Sequence, residues 1–348
     1  MKIALTGFFN SGKTTIFNVL THQKIETSLY PTPAETVHKG IFYVDDPRLK
    51  KISELVNPKK ITPVTIECID PAGLTDSSVH NSKIFKELIN ADAVVYILRG
   101  FEDLSVPYRF ETVDPVRDLN EIDYEVILSD LELVSKRIEK MTEQKKKGQK
   151  INEKEMEVLE FLRGYLEGGK PLRKLNLTEE TLREIRHLSF LSLKPFLSII
   201  NADENSFKEN RFKDTGILTV CGLLEMELCE LSEEDINSFA SVMGIQELLT
   251  RKITEKIYQT LNCISFFTIV SGEVRAWSIK KGTKAVEAAG KIHSDIQRGF
   301  IKAEVISYNE FVSVDGDISL ARNKGILRLE GKEYEIKDGE IITFRFKV

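Results

Sequence analysis

The sequence predicts an α/β chain built on a mostly parallel, doubly wound sheet and followed by a smaller α+β part. Three observations predict this. Short apolar runs at 2–6, 64–69 (VTIECI), 93–98 (AVVYIL), 195–200 (PFLSII) and 216–220 (GILTV) alternate with helical stretches. Residues 7–14 read GFFNSGKT, which fills every fixed position of G-x-x-x-x-G-K-[ST] between a strand and a helix. From about residue 264 the alternation gives way to closely spaced strand-like segments around one helical stretch.

The first run, Lys2 to Thr6, predicts a buried strand, and Thr14 to Leu20 places apolar residues at helical spacing. The glycines let the chain turn tightly between them. Backbone amides from Asn10 through Ser11, Gly12 and Lys13 to Thr14 then face phosphate oxygens at the positive end of the helix, with Thr15 completing the set. In this pattern Lys13 reaches the β- and γ-phosphates, and the Thr14 hydroxyl is a ligand for Mg2+. The strand and helix flanks set this match apart from a chance one.

Residues 39–44 (KGIFYV) predict a further strand near an edge. After VTIECI comes Asp70-Pro71-Ala72-Gly73, a D-x-x-G element. Asp70 is expected to hold Mg2+, and the Gly73 amide to contact the γ-phosphate. The next residue is Leu74, where Ras-like enzymes place a water-orienting Gln. Either hydrolysis uses another device and is slow, or Leu74 simply packs inward. After PFLSII comes Asn201-Ala202-Asp203-Glu204 in the place of the guanine-reading Asn-Lys-x-Asp. Glu in the fourth place moves the carboxylate by roughly 1.5 Å, which weakens a guanine preference. Asp203 and Glu204 also read as acids of a helix start.

Between about 123 and 187, two amphipathic stretches (Ile127, Leu131, Val134, Ile138; then Met156, Leu159, Leu162, Leu166) flank a lysine-rich turn at 144–150. They predict an antiparallel helical hairpin whose tip is a solvated loop or an arm touching RNA phosphates. Strands are expected at 264–270, 273–279, 326–329 and 341–347, with a helix near 284–298. Trp277, beside Lys280, Lys281 and Lys284, is either core of this part or an RNA contact.

The chain has 348 residues, 41% hydrophobic and 30% charged, enough for two or three domains with real cores. A net charge of −5 argues against a surface that is basic throughout, though a local patch is compatible with it. Cys68, Cys221, Cys229 and Cys263 form no C-x-x-C, so zinc and disulfide frameworks are not expected. No run of 18 apolar residues occurs, and Met1 leads directly into strand and loop, so neither a membrane span nor a removable signal is expected. The expected setting is cytoplasmic and the expected state a monomer.

Taken together, GFFNSGKTTIFNVLT (7–21), DPRLKKISELVNPKK (46–60), DPAGL (70–74), LRGFED (98–103), LSFLSLKP (188–195), NADE (201–204) and the long stretch 266–306 resemble the YchF/Obg-like ATPase family of P-loop proteins. The resemblance implies a P-loop G-domain (1–122 and 188–258), a coiled-coil-like helical insert (123–187) and a TGS-like β-grasp domain (264–348). It implies ATP in preference to GTP through Asn201 and Glu204, a hydrophobic residue at Leu74 as normal, and an association with ribosomes. Cys221-Gly222 stands where the family has a Ser-Ala-Lys-like loop near the base, which backbone amides can still serve. Asn10 resembles the P-loop residue of K+-assisted relatives.

The chain departs from the family in further places. Ala34 stands in register with a switch Thr, with Thr32 and Thr36 nearby. A polar loop at 75–82, containing His80, replaces a glycine-rich one, and Tyr108 stands where a His is proposed to assist hydrolysis. His80 is then a replacement catalytic group or surface decoration. The expected function is a switch that binds ATP or GTP with Mg2+, hydrolyses it slowly through Lys13 and Gly73, and acts on a ribosomal or RNA partner. A catalytically weak binding module is the alternative.

Overall fold

The strands are β1 (Lys2–Thr6), β2 (Val37–Tyr43), β3 (Lys60–Thr62), β4 (Thr65–Pro71), β5 (Ala93–Gly100), β6 (Phe196–Ala202), β7 (Leu218–Val220), β8 (Cys263–Val270), β9 (Glu273–Lys280), β10 (Phe300–Ile306), β11 (Arg328–Glu330) and β12 (Ile341–Phe346) in this computed structural model. The structure describes residues 1–231, 235–236 and 248–347, so part of the expected 188–258 segment lies outside the described residues. The chain divides into two compact units, Met1–Phe42 with Glu67–Leu249, and Tyr43–Ile66 with Thr250–Val348.

In the first unit the sheet order is β2-β4-β1-β5-β6-β7. β1 is parallel to both β4 and β5, β5 to β6, and β6 to β7. Ile3, Ala4 and Leu5 on β1 and Val95 and Ile97 on β5 are all fully buried. Burial on both faces is why these strands read as continuous apolar runs. The carboxyl ends of β1, β4, β5 and β6 carry the loops on which an α/β sheet binds its ligand. Helix α1 (Lys13–Thr21) follows β1, and α2 (Pro47–Val56) belongs to the second unit. Helix α3 (Ser78–Ile89) follows β4, and the expected hairpin follows β5 as α4 (Pro115–Lys146) and α5 (Glu153–Glu167).

Helix α4 begins well before residue 123, because Pro115 occupies its first turn and the Asp114 carboxylate accepts from the amides of Val116 and Arg117. Ile127, Val134, Ile138 and Met141 pack against Leu159, Leu162 and Leu166 of α5. Arg137 Nε donates to Glu155 Oε1 at 2.7 Å across the hairpin. At the tip, Lys145 pairs with Glu153 while Lys146, Lys147 and Lys150 stand exposed. Helices α6 (Glu179–Ile185), α7 (Glu204–Lys208) and α8 (Gly222–Leu228) complete the labelled helices of this unit.

The second unit has sheet order β11-β10-β12-β8-β9-β3. β8 and β9 form an antiparallel hairpin, β12 runs parallel to β8, and β10 runs antiparallel to β12. The helix Ala285–Ile292 buries Ala285, Ala288 and Ala289 against a core that includes Phe266, Ile342 and Phe344, as expected of a β-grasp. Residues 43–66 bring α2 and β3 into this unit: β3 pairs parallel with β9, and Arg48 bridges Asp46 and Asp338, each at 2.8 Å. Strand β10 has no contiguous apolar run, since buried Ala303 and Val305 alternate with Lys302 and Glu304, so apolar runs did not reveal it. Trp277 is half-buried, stacks on Phe266 at the margin of this core and donates from Nε1 to Thr268 Oγ1 at 3.0 Å. Among the described residues no helix is long and apolar enough to cross a membrane.

Candidate functional site

The loop after β1 closes on Gly12, which adopts φ +84° and whose added Cβ would lie 2.0 Å from Asn201 Nδ2. Only glycine serves there, on both conformational and steric grounds. Helix α1 starts at the next residue, so the Lys13 ammonium turns back over the loop. Lys13 Nζ lies 2.7 Å from Asp70 Oδ1 and 2.7 Å from the Pro71 carbonyl. The Thr14 hydroxyl donates to the other carboxylate oxygen, Asp70 Oδ2, at 2.8 Å. Lys13 is 8% and Asp70 2% exposed, so the pair interacts away from bulk water. These groups belong to the wall of a cavity of about 450 Å³, which the whole segment Phe8–Thr15 lines. The geometry thus brings Lys13, Thr14 and Asp70 together, as the sequence predicts. A carboxylate beside a hydroxyl is a hard oxygen donor pair, which fits Mg2+ with phosphate and water oxygens completing its shell.

The 72–74 segment docks on the phosphate loop itself. The Leu74 amide donates to the Gly7 carbonyl at 2.9 Å, and the Phe9 amide to the Leu74 carbonyl at 3.0 Å. Gly73 lines the cavity, and a Cβ there would sit 2.8 Å from Phe9 Cα. Leu74 is 1% exposed and packs with Phe8 and Ile84 in the core, so its side chain faces inward and not into the cavity.

Asn201 also lines the cavity; its Nδ2 donates to the Ser11 carbonyl at 3.2 Å and its Oδ1 accepts from the Gly222 amide at 3.0 Å. Both side-chain groups of Asn201 are therefore engaged by backbone. Asp203 lines the cavity and caps α7 by accepting from the Ser206 amide at 2.8 Å. Glu204 is exposed in the first turn of α7 and pairs with Lys208, outside the wall. The reading of these acids as a helix start describes their local structure. Cys221 and Gly222 stand behind the wall and Leu223 lines it, with Phe101 and Ala202. Burial pushes the Cys221 thiol up, so it stays protonated at neutral pH.

Three side chains escaped sequence reasoning. Arg99, at the end of β5, is 2% exposed and donates to the carbonyls of Phe101, Asp103, Val106, Pro107 and Asn10. Its guanidinium also lies over the rings of Phe101 and Tyr108, at 4.3 and 4.7 Å. His38, at the start of β2, lines the cavity edge-on to Phe17. Phe101 and Arg99 sit in LRGFED, the one local signal that could have found them. Asn10 uses its side-chain nitrogen on the carbonyls of Leu29 and Pro107, at 3.4 and 2.9 Å. Of the departures, Ala34 is buried and off the wall, while Thr32 and Thr36 line it. Tyr108 turns its hydroxyl to Asp118, and His80 bonds the Gly73 carbonyl at 3.0 Å.

A parallel sheet, a GKT loop over a buried Lys–Asp pair and a docked D-x-x-G define a P-loop nucleotide-binding protein of the GTPase-like class. Comparison with known proteins agrees. The model described as "50S ribosome-binding GTPase" matches residues 2–159, and the YchF-GTPase C-terminal model, described as "Protein of unknown function (DUF933)", matches residues 263–347. The chain is 36% identical to the Ribosome-binding ATPase YchF of Bacillus subtilis over 99% of its length and 98% of the relative's. It is 33% identical to that of Escherichia coli O157:H7 over 100% and 99%. The structure of the Schizosaccharomyces pombe YchF GTPase superposes with a TM-score of 0.84 at 25% identity, covering 99% of this chain and 97% of that one. A GTP binding protein from Pyrococcus horikoshii shares the fold, with a TM-score of 0.62 at 19% identity. The chain belongs to the YchF family.

Proposed function

We propose that this protein is a cytoplasmic, monomeric switch that binds ATP, and GTP less well, with Mg2+ and hydrolyses it slowly in concert with a ribosome-linked partner. The observation that carries the nucleotide reading is the Lys13–Asp70–Thr14 cluster in the wall of the cavity that the phosphate loop lines. The relatives named Ribosome-binding ATPase support ATP and the ribosome. In this reading Lys13 and the amides of Asn10, Ser11, Gly12, Thr14 and Thr15 bind the phosphates. Thr14 and Asp70 would hold Mg2+, which would supply positive charge against the phosphates. Water attacks the γ-phosphorus as the bond to the β-phosphate oxygen breaks, and its proton passes to the released inorganic phosphate; Lys13 stabilises the charge that moves to the leaving diphosphate, and the Gly73 amide the charge on the γ-phosphoryl oxygens. The base lies toward Phe101, Ala202 and Leu223. Contact through Glu204 requires its ion pair with Lys208 to open. K+ at Asn10 is a further part of the reading, through the side-chain oxygen, and rates in K+ against Na+ test it.

Slow hydrolysis rests on a specific observation: Leu74, His80 and Tyr108 all have their side chains outside the cavity wall. The same observation favours the second reading, a binding module in which nucleotide is a structural ligand. Titration calorimetry with ATP, GTP and Mg2+, together with phosphate release, separates them. Lys13→Ala is expected to abolish binding. Unchanged affinity in that variant overturns the site, and wild-type turnover no faster than the variant's selects the binding module.

A further inference from the structure

We propose that His80 is a positioning residue for Gly73, and that with the Asp76–Arg109 pair it holds the 73–83 segment docked before a γ-phosphate is bound. The inference rests on the nucleotide reading above. The 75–82 loop is the part of the sequence that reading leaves unused, and its Thr75, Asp76, Ser77, His80, Asn81 and Ser82 side chains find partners. His80 Nε2 lies 3.0 Å from the Gly73 carbonyl. A carbonyl only accepts, so Nε2 carries the hydrogen. Arg109 pairs with Asp76 at 2.8 Å while its guanidinium lies over the rings of Phe8 and Phe110, at 4.3 and 4.7 Å. Phe8 belongs to the phosphate loop, so Arg109 ties the loop after β4 to the loop after β1. Asn81 accepts from the Thr75 amide and donates to the Thr75 carbonyl and to Glu125 on α4. Ser77 caps α3 by accepting from the His80 amide. Lys83 pairs with Glu35, at 2.6 Å, on the segment before β2.

The Gly73 amide, by contrast, donates to no acceptor among the described residues, although Gly73 lines the cavity. The segment is thus fixed by its carbonyl and flanks, with its amide left for a ligand oxygen. A γ-phosphate that engages only the docked form binds with its full affinity when that form is already populated. A diphosphate makes no such contact and is indifferent to docking. The latch therefore sets the ratio of triphosphate to diphosphate affinity without touching the phosphates itself.

The test is titration of the full chain with Mg2+ and either ADP or an imido analogue of ATP. His80→Ala is expected to weaken the analogue roughly tenfold while ADP stays within about twofold, since docking must then be driven by the ligand. His80→Gln restores the analogue, because the Gln amide nitrogen reaches the place of Nε2. Arg109→Ala shifts the ratio in the same direction and serves if His80→Ala folds poorly. Amide exchange of residues 73–81 is faster in both alanine variants. An unchanged ratio, an equal loss of both nucleotides, or a Gln variant as weak as the Ala one overturns the inference while leaving nucleotide binding intact. Failure of the wild-type chain to bind either nucleotide overturns the nucleotide reading and this inference with it.

Discussion

Asn201 fastens the end of β6 to the phosphate loop: its side-chain nitrogen donates to the Ser11 carbonyl at 3.2 Å. Its oxygen meanwhile takes the Gly222 amide, so both side-chain groups hold backbone, each with one further hydrogen-bonding position left. Asn201→Ala is therefore expected to weaken ATP and GTP alike, by roughly tenfold, through loss of two buried hydrogen bonds. Calorimetry with both nucleotides checks it. A loss confined to one base would show that Asn201 reads the base directly.

Gly73→Ala places a Cβ 2.8 Å from Phe9 Cα, a backbone atom that cannot swing away. The 72–74 segment must leave the phosphate loop, so the imido analogue is expected to bind about tenfold more weakly and ADP nearly normally. Comparison of the two affinities decides it, and a variant with wild-type affinity for both would show that the docked geometry is not used.

Arg99 satisfies five carbonyls inside the protein. Arg99→Met keeps much of the volume but leaves those acceptors unpaired, and is expected to cost about 3 kcal/mol of stability. Denaturant unfolding measures this. A change below about 0.5 kcal/mol would mean that water takes over the acceptors at no cost.

The hairpin carries a pH signature. The hydrogen bond from Arg137 holds the Glu155 carboxyl below its ordinary value of 4.5. A folded pKa below the unfolded one stabilises fully above the unfolded value and is lost as pH falls through the folded one. Glu155→Gln is therefore expected to lower the melting temperature at about pH 6 and to show a smaller further drop at about pH 3 than the wild type. Parallel acid sensitivity in the two proteins, followed by circular dichroism, would rule the pair out as a contributor.

The sequence by itself determined the phosphate end of the site. Gly12, Lys13 and Thr14 are adjacent, and the chemistry of the loop is carried by backbone amides whose geometry follows from local spacing. Asp70 was legible too, because it ends a strand-like stretch as the first residue of a D-x-x-G element, which marks the sheet's carboxyl edge. The tertiary structure alone decided which side chains face the ligand. Leu74 and Tyr108 turn inward, Glu204 turns to Lys208, and Arg99 closes over five carbonyls because of partners distant in the chain or on another turn. The same holds for residues 43–66, which lie between P-loop strands in sequence. They join the second unit because β3 finds its hydrogen bonds on β9, a pairing across about two hundred residues that no local pattern encodes.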